Sequence, residues 1–96
     1  MTPPYIVINT SHFERAFNKL SRQHAELAKL YTRIVSILET DPFSTSRSYG
    51  IKKLQDIPVG DSQYRIRAGR FRFRYDVEGH VVWLKACSLR REGTYR

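Results

Sequence analysis

Three alternating segments in the C-terminal half of the chain constrain its fold more than any other feature. Apolar or aromatic residues alternate there with polar or charged ones, and a period of two is typical of β-strands that bury one face. Glycines near the segment ends indicate tight turns at Ala68-Gly69 and Glu78-Gly79. The sequence therefore predicts a three-stranded antiparallel meander, with strands at Gln63–Arg67, Arg70–Val77 and His80–Cys87.

Two-residue turns would set the register of this meander and sort its side chains onto two faces. One face carries apolar and aromatic pairs: Tyr64 with Phe73, Ile66 with Phe71, Phe73 with Leu84, Tyr75 with Val82, and Phe71 with Ala86. The other face carries mostly basic pairs: Arg67 with Arg70, Arg65 with Arg72, Arg72 with Lys85, and Arg74 with Trp83. Because one register separates both sets, the first face is predicted to be the core side and the second to be open.

The basic face has two interpretations. Like charges directly opposite each other on neighbouring strands destabilise a sheet by roughly 0.2–1 kcal/mol per pair. One interpretation is a solvated surface whose charges are screened by salt. The other is a surface that binds phosphate groups through guanidinium forks, and the concentration of arginine favours it. Trp83 on this face either stacks on a nucleobase or covers apolar surface beside Arg74.

The N-terminal half predicts one strand and two helices. Tyr5–Ile8 is a short β-rich run after two prolines. Ser11 and Glu14 fit a capping box that begins a helix, whose inward residues are Phe13, Ala16, Phe17 and Leu20. After a break over residues 21–24, a second helix runs over residues 25–39 and ends before Pro42. Its inward residues are Leu27, Leu30, Tyr31, Ile34, Ile37 and Leu38.

These elements predict an α+β fold: an N-terminal strand, a two-helix hairpin and the meander, with both helices on the core face of the sheet. The segments between them are predicted to be a loop over residues 43–50 and irregular structure over residues 51–60. A chain of 96 residues is long enough for one hydrophobic core, which predicts a single domain over residues 1–96.

Charge limits the partners that such a domain can take. The formal net charge is +8, and residues 49–96 contain 11 basic and 5 acidic residues, so the excess lies in the half that forms the meander. A concentrated basic surface favours a polyanion as partner, above all nucleic acid.

Cysteine content and apolar segments predict a cytoplasmic protein. The one cysteine, Cys87, cannot form an internal disulfide, which is typical of a reducing compartment. No apolar run approaches the roughly 18 residues of a membrane span, and the start at Met1-Thr2-Pro3-Pro4 does not fit a secretion signal. No Cys/His cluster has the spacing of a metal site, so we expect neither a metal nor another cofactor.

Several segments, in a fixed order, resemble the RelE/ParE toxin superfamily. The resemblance rests on Tyr64-Arg65-Ile66-Arg67, on Gly69-Arg70-Phe71-Arg72 with the strand that follows, and on the tail Arg90-Arg91-Glu92-Gly93-Thr94-Tyr95. The N-terminal strand, the helical hairpin, the Asp41-Pro42 helix stop and the Lys53-Leu54 pair fit the same family. This resemblance implies an α+β fold with a mostly antiparallel sheet and two helices packed on one side.

The resemblance also implies a toxin of a bacterial or archaeal type II toxin–antitoxin pair. Toxins of the RelE branch enter the ribosomal A site and cut mRNA without a metal, because the 2′-hydroxyl of the RNA attacks the adjacent phosphate. The expected partners are therefore mRNA, the ribosome and an acidic antitoxin encoded beside the toxin, with no membrane partner. Two alternatives stay open: a ParE-type inhibitor of DNA gyrase without nuclease activity, and a catalytically weak RNA-binding homologue.

Site residues follow from the same resemblance. The catalytic positions of the family fall on Arg65, Arg67, Arg72, Arg90 and Tyr95. The first three would hold the phosphate, Arg90 would assist the leaving 5′-oxygen, and Tyr95 would act as the general base or stack on a nucleobase. Arginine replaces the lysines of the best-known RelE pattern at positions 65 and 67, and Leu89 stands where many relatives have histidine. Further RNA-binding residues are expected at Lys52, Lys53, Arg70, Arg74, Trp83, Lys85 and Arg91.

Overall fold

A five-stranded sheet with two helices on one side makes up the described part of the chain. The computed structural model describes residues 4–43 and 50–89. In chain order the elements are β1 (Ile6–Asn9), α1 (Ser11–Ser21), α2 (Leu27–Thr40), β2 (Ile51–Lys53), β3 (Tyr64–Ala68), β4 (Phe71–Glu78) and β5 (Val81–Leu89). The strand order is β1-β5-β4-β3-β2; β1 runs parallel to β5, and the other neighbours are antiparallel. The predicted α+β class is confirmed.

Both helices lie where the sequence predicts them, but α1 is capped by a different residue. Thr10 has extended backbone, and its Oγ1 accepts a hydrogen bond from the Phe13 amide (3.2 Å). The same hydroxyl donates to the Leu84 carbonyl oxygen (2.9 Å), which ties the start of α1 to β5. The capping box predicted at Ser11 is therefore wrong by one position, because Ser11 is already helical.

The core lies between the helices and one face of the sheet. Phe13 of α1 packs there with three residues of α2, Leu27, Ile34 and Leu38. The sheet contributes Ile66, Phe71, Phe73, Tyr75, Val82, Leu84 and Cys87. The predicted inward faces are confirmed with one exchange, since Cys87 takes the core position that the sequence predicts for Ala86.

The meander keeps its predicted faces but not its predicted register. Ile66 pairs with Phe73 rather than Phe71, and Tyr75 pairs with Leu84 rather than Val82. The turns lie at Gly69-Arg70 and Gly79-His80, one residue later than predicted, because each glycine takes the first turn position with positive φ (+56° and +58°). A turn displaced by one residue shifts each pair by two, which leaves every side chain on the same face.

A β-bulge in β5 explains the exchange of Ala86 and Cys87. Leu84 pairs with Tyr75 and Ala86 pairs with Arg74, so Lys85 is an extra residue opposite them. Since an extra residue reverses the alternation beyond it, Leu84 and Cys87 both face the core. Burial raises the pKa of the Cys87 thiol to about 12, so this thiol stays protonated at neutral pH.

The sheet also has one strand more than the sequence predicts. Within the segment expected to be irregular, β2 pairs with β3 through Ile51 and Ile66, Lys52 and Arg65, and Lys53 and Tyr64. Three residues are too few to display an alternating pattern, so only the neighbouring strand reveals β2. Among the described residues, no helix combines the length and the apolar content needed to cross a lipid bilayer.

Candidate nucleic-acid interface

The sheet surface opposite the helices carries cations in rows across neighbouring strands. Lys52, Arg65 and Arg74 are register partners on β2, β3 and β4. Arg67 and Arg72 are partners in the next row. Partner residues on adjacent strands have Cα atoms about 5 Å apart, so these cationic side chains start from neighbouring backbone positions. We call the surface that carries Arg65, Arg67, Arg72 and Arg74 the arginine face.

The structure brings together the three sheet arginines predicted to be catalytic. Arg67 is exposed, whereas Arg65 and Arg72 are half-buried. The like-charge pairs are Lys52 with Arg65, Arg65 with Arg74, and Arg67 with Arg72, so the face is as predicted although the partners differ. Each pair opposes folding by roughly 0.2–1 kcal/mol, a cost that a bound anion would offset.

Arg70 lies away from the arginine face. It occupies the second position of the β3–β4 turn, where its Nη2 contacts the Glu26 carboxylate (3.0 Å) and His24 Nδ1 (3.3 Å). The predicted pairing of Arg70 with Arg67 is therefore wrong, because the turn begins at Gly69. Arg70 joins this turn to the residues that precede α2.

The two lysines of β2 lie on opposite faces of their strand. Lys52 is the register partner of Arg65 and extends the arginine face. Lys53 is the partner of Tyr64, and its Nζ lies 5.9 Å from the centre of that ring. Alternation along a strand separates them, so the predicted RNA-binding pair Lys52-Lys53 does not form one surface.

Arg74 and Lys85 are held by the loop of residues 57–63, which precedes β3. Arg74 Nη2 donates to the carbonyl oxygens of Ser62 (2.7 Å) and Asp61 (3.3 Å). Lys85 Nζ donates to the Gly60 carbonyl oxygen (2.7 Å). The predicted pairs of Lys85 with Arg72 and of Arg74 with Trp83 are wrong, because of the later turn and the bulge at Lys85.

Asp76 is a residue of this surface that the sequence prediction did not include. It is 8% exposed, and its carboxylate accepts from the amides of Ser62 and Gln63 (2.9 Å each) and pairs with Lys85 Nζ (2.9 Å). These bonds hold Ser62 in the left-handed region, at φ +64°. The sequence does contain a signal for this structural role: Asp76 is a carboxylate at an alternate position of β4 where Arg72 and Arg74 precede it.

The pKa of Asp76 reflects two opposing effects. Burial alone would raise the pKa of this carboxyl group. Hydrogen bonds from the Gln63 amide, Lys85 and the Ser62 amide outweigh that effect and lower the pKa below its ordinary value of 3.8. Asp76 is therefore an anion at neutral pH and fixes both the loop and Lys85.

Trp83 lies on the same outer surface, farther along the sheet. Its register partners are Asp76 on β4 and Ile8 on β1. It forms part of a cleft of about 390 Å³ whose other lining residues are Val59, Gly60, Gln63, Asp76, Val77, Glu78 and Lys85. We call this space the Trp83 cleft.

The remaining predicted site residues belong to the C-terminal tail. Arg90, Arg91 and Tyr95 lie outside the described residues, so their roles stay predictions. Within residues 4–43 and 50–89, no three His, Cys, Asp or Glu side chains are grouped closely enough to hold a metal ion.

Comparison with known proteins identifies the fold. Neither a protein-family profile nor a curated protein sequence matches the chain. A chain of the toxin–antitoxin complex RelBE2 from Mycobacterium tuberculosis is similar, with a TM-score of 0.68 and 21% identity over 91% of this chain and 99% of that one. A chain of the archaeal RelE–RelB complex from Pyrococcus horikoshii OT3 has a TM-score of 0.68 and 24% identity over 94% and 99%. The chain therefore has the RelE fold that the resemblance implied.

Proposed function

We propose that this protein is the toxin of a toxin–antitoxin pair and that it cuts mRNA on the ribosome. The observation that carries the proposal is the arginine face, where Arg65, Arg67 and Arg72 come together on one open surface of a RelE fold. Inhibition of gyrase through protein contacts would not require such a surface. Phosphate chemistry requires it, because guanidinium groups bind phosphate oxygens in pairs and keep their charge at any physiological pH.

The proposed reaction uses the 2′-hydroxyl of the RNA as nucleophile. The 2′-hydroxyl gives its proton to a base, and its oxygen attacks the adjacent phosphorus. A 2′,3′-cyclic phosphate forms as the bond from phosphorus to the 5′-oxygen of the next nucleotide breaks, and that oxygen leaves after it takes up a proton from the protonated base or from water. Arg67 and Arg72 lie directly opposite each other, so one phosphate between them accepts hydrogen bonds from both. With Arg65 they stabilise the charge that develops on the phosphate in the transition state, where preorganised donors are most effective.

Proton transfer falls to other residues in this proposal. Arginine stays protonated in proteins and cannot act as a general base. Tyr95 is our candidate for the base, because a cationic environment lowers the pKa of a phenol. Arg90 is the candidate for assisting the leaving 5′-oxygen. Both assignments come from the family resemblance.

The remaining cations support the site in this proposal. Arg74 and Lys85 hold the 57–63 loop, and Arg70 holds the β3–β4 turn against Glu26. Lys52 extends the arginine face toward the edge of the sheet and would bind a further phosphate. Phosphate binding thereby concentrates on the β2–β3–β4 part of the sheet.

The proposed partner is an acidic antitoxin that covers the arginine face in the cytoplasm. Of the similar structures, one comes from the toxin–antitoxin complex RelBE2 and another from an archaeal RelE–RelB complex. A polypeptide with carboxylates opposite Arg67 and Arg72 would neutralise the same charges that bind RNA. The antitoxin and the message would then compete for one surface.

Induced expression tests the proposal. We expect translation to stop and transcripts to show cuts within codons, mapped as 5′ ends. Arg72→Ala should lower the cleavage rate roughly 100-fold or more, because it removes one donor to the developing charge. The matched control is Arg15→Ala, which removes an exposed arginine from α1 and should leave cleavage unchanged.

Two outcomes would contradict this assignment. If DNA synthesis stops while transcripts stay intact, the target is not mRNA. If Arg72→Ala remains as toxic as the parent protein at equal expression, the arginine face is not the site. The thermal unfolding midpoint of each variant, measured alongside, separates loss of activity from loss of the fold.

A further inference from the structure

We propose that the Trp83 cleft binds a nucleobase of the RNA strand whose phosphate lies on the arginine face, and that it prefers bases with an exocyclic amino group. This inference rests on the proposed function for the identity of its ligand. It adds a base-reading site to a surface that otherwise contacts only the sugar–phosphate backbone.

The shape of the cleft fits a flat ligand. β3 pairs with β4 only as far as Tyr75, and the 57–63 loop lies beside Asp76, where β3 has not yet begun. The loop, the end of β4 and Trp83 therefore enclose a space of about 390 Å³. That volume lies within the range of small-molecule sites, which is about 300–1,000 Å³. The indole ring supplies the stacking surface that single-stranded nucleic acids use on proteins.

The charge of the cleft favours a base over a phosphate. Asp76 and Glu78 both line it, and two carboxylates repel a phosphate group. Lys85 is the one cation among the lining residues, and its Nζ is already held by Asp76 and Gly60. The phosphate of the same strand is instead expected at Arg67 and Arg72.

The distance along β4 between the arginine face and the Trp83 cleft means that the bound phosphate and the bound base belong to different nucleotides. Asp76 follows Arg72 by four residues on β4, which is about 13 Å along the strand. A strand that crosses the sheet in this direction would present one nucleotide to the arginine face and another to the cleft.

The hydrogen-bonding groups of the cleft set its preference. The carboxylate of Glu78 accepts hydrogen bonds and cannot donate them, and Asp76 Oδ1, which accepts from the Gln63 amide, keeps one further acceptor site. Gln63 Nε2 donates to the Ile57 carbonyl oxygen (2.9 Å), which leaves the side-chain oxygen of Gln63 as a further acceptor. Cytosine offers an amino group with two donor hydrogens at the position where uracil offers a carbonyl oxygen, and uracil retains only its ring N–H as a donor, so cytosine fits this set of acceptors better than uracil does.

Ile6 and Ile8 give the same surface an apolar border. They are 59% and 37% exposed, and Ile8 is the register partner of Trp83. Exposed apolar residues of this kind also occur where proteins dock. The acceptors inside the cleft favour a nucleobase as its occupant. A docked protein is the alternative, and the response of Trp83 emission distinguishes the two.

Two labelled oligonucleotides and one intrinsic probe test the proposal. Hexadeoxycytidine carries an amino group on each base where hexadeoxyuridine carries a carbonyl oxygen. Both lack the 2′-hydroxyl, so neither strand is cut. Trp83 is the only tryptophan in the chain, so its emission reports on this cleft. We expect hexadeoxycytidine to quench that emission and, by fluorescence anisotropy, to bind about five-fold or more tightly than hexadeoxyuridine.

Four variants locate the effect. Glu78→Gln replaces an exposed acceptor with a group that also donates, and it should bring the two affinities together without disturbing the fold. Trp83→Ala should weaken binding of hexadeoxycytidine about five-fold or more. Arg67→Ala should weaken both oligonucleotides alike, because a phosphate contact carries no base preference. Asn18→Ala, a control on the exposed side of α1, should change neither affinity by more than about two-fold.

The outcomes separate this inference from the proposed function. Binding without a change in Trp83 emission, or equal affinity for both oligonucleotides in the parent protein, overturns the base site while transcript cleavage remains measurable by itself. Trp83 emission that responds only to the antitoxin assigns the surface to protein docking and overturns the proposal. If Trp83→Ala fails to fold, Glu78→Gln still decides the question through the ratio of the two affinities.

Discussion

Asp76 divides the cations of the outer sheet surface between two roles. Its carboxylate holds Lys85 directly and holds the amides of Ser62 and Gln63, and the carbonyl oxygen of Ser62 in turn holds Arg74. One anion thus commits two cations to the structure of the loop. Arg65, Arg67 and Arg72, which we assign to phosphate, form the remainder of the arginine face.

Replacing Asp76 should destabilise the fold. Asp76→Asn leaves one acceptor oxygen where two backbone amides and a lysine are bound, so we expect the free energy of unfolding to fall by about 1–3 kcal/mol. Urea unfolding at pH 7 measures this loss. Asp56→Asn is the control, since that carboxylate is exposed, and it should change stability by less than about 0.5 kcal/mol. Equal effects of the two substitutions would contradict the role of Asp76.

Acid should remove the same contribution from the parent protein. The pKa of Asp76 is lower in the folded state than its ordinary value of 3.8. The stabilisation is therefore fully present above about pH 4 and is lost as the pH falls through the lowered value. The difference in unfolding free energy between the parent and Asp76→Asn should shrink between neutral pH and about pH 2. A difference that stays constant over this range would refute the linkage.

At the scale of elements, two glycines and one bulge decide how the strands meet. Gly69 and Gly79 place each turn one residue later than the alternating pattern predicts, and Lys85 adds a residue to β5. The turns shift the partners without changing the faces, whereas the bulge changes the faces beyond it. The bulge also places Lys85 where it reaches Asp76.

The β4–β5 turn should tolerate few residues at position 79. Gly79 has φ +58°, and a Cβ atom added there would meet no heavy atom within 4 Å, so the expected cost is that of the backbone conformation alone. Gly79→Ala should destabilise the protein by about 1–2 kcal/mol, and Gly79→Asn by less, because asparagine tolerates the left-handed region. Thermal and urea unfolding of the two variants check this order.

Gly50→Ala serves as the comparison for this turn. Among the described glycines, Gly50 is the one without a positive φ, and its added Cβ would make only ordinary contacts near 3.5 Å with Arg67. We expect little change in stability. A loss for Gly50→Ala as large as that for Gly79→Ala would show that backbone conformation is not the cause.

At the scale of the whole molecule, the excess of positive charge separates into parts with different partners. The net charge of +8 includes cations held by Asp76 and Glu26, cations on the arginine face, and cations in the tail. Those on the arginine face are the ones that RNA and an acidic antitoxin would share. Affinity for either partner should therefore depend on salt.

Salt dependence gives a count of the phosphate contacts. For single-stranded nucleic acid, each neutralised phosphate contributes about −0.7 to the slope of log K against log salt. Arg67→Ala should reduce the size of that slope by about this amount for hexadeoxycytidine, whereas Arg15→Ala should leave it unchanged. Fluorescence anisotropy across a salt series measures both slopes. Identical slopes for the two variants would exclude a phosphate contact at Arg67.

Four of the five strands in the described residues, both helices and the sheet faces could be predicted from the sequence, because each shows a local pattern of residues. Period two sorted Arg65, Arg67 and Arg72 from Ile66, Phe71 and Phe73, and period 3.6 sorted the faces of α1 and α2. The predicted pairing of Arg70 with Arg67 is wrong, because a shift of the turn by one residue changes which residues pair. The sequence did not predict β2, because a strand of three residues is too short to show an alternating pattern.

Sequence by itself determined that three arginines share one face opposite an apolar core, since alternation along a strand depends only on the order of residues. Tertiary structure alone decided which cations pair across strands, that Asp76 holds Lys85 directly and Arg74 through the 57–63 loop, and that a cleft opens beside Trp83. These features depend on a turn conformation, a bulge and contacts between segments 12 to 25 residues apart. Their energies are set by distances in space, which no local pattern of residues encodes.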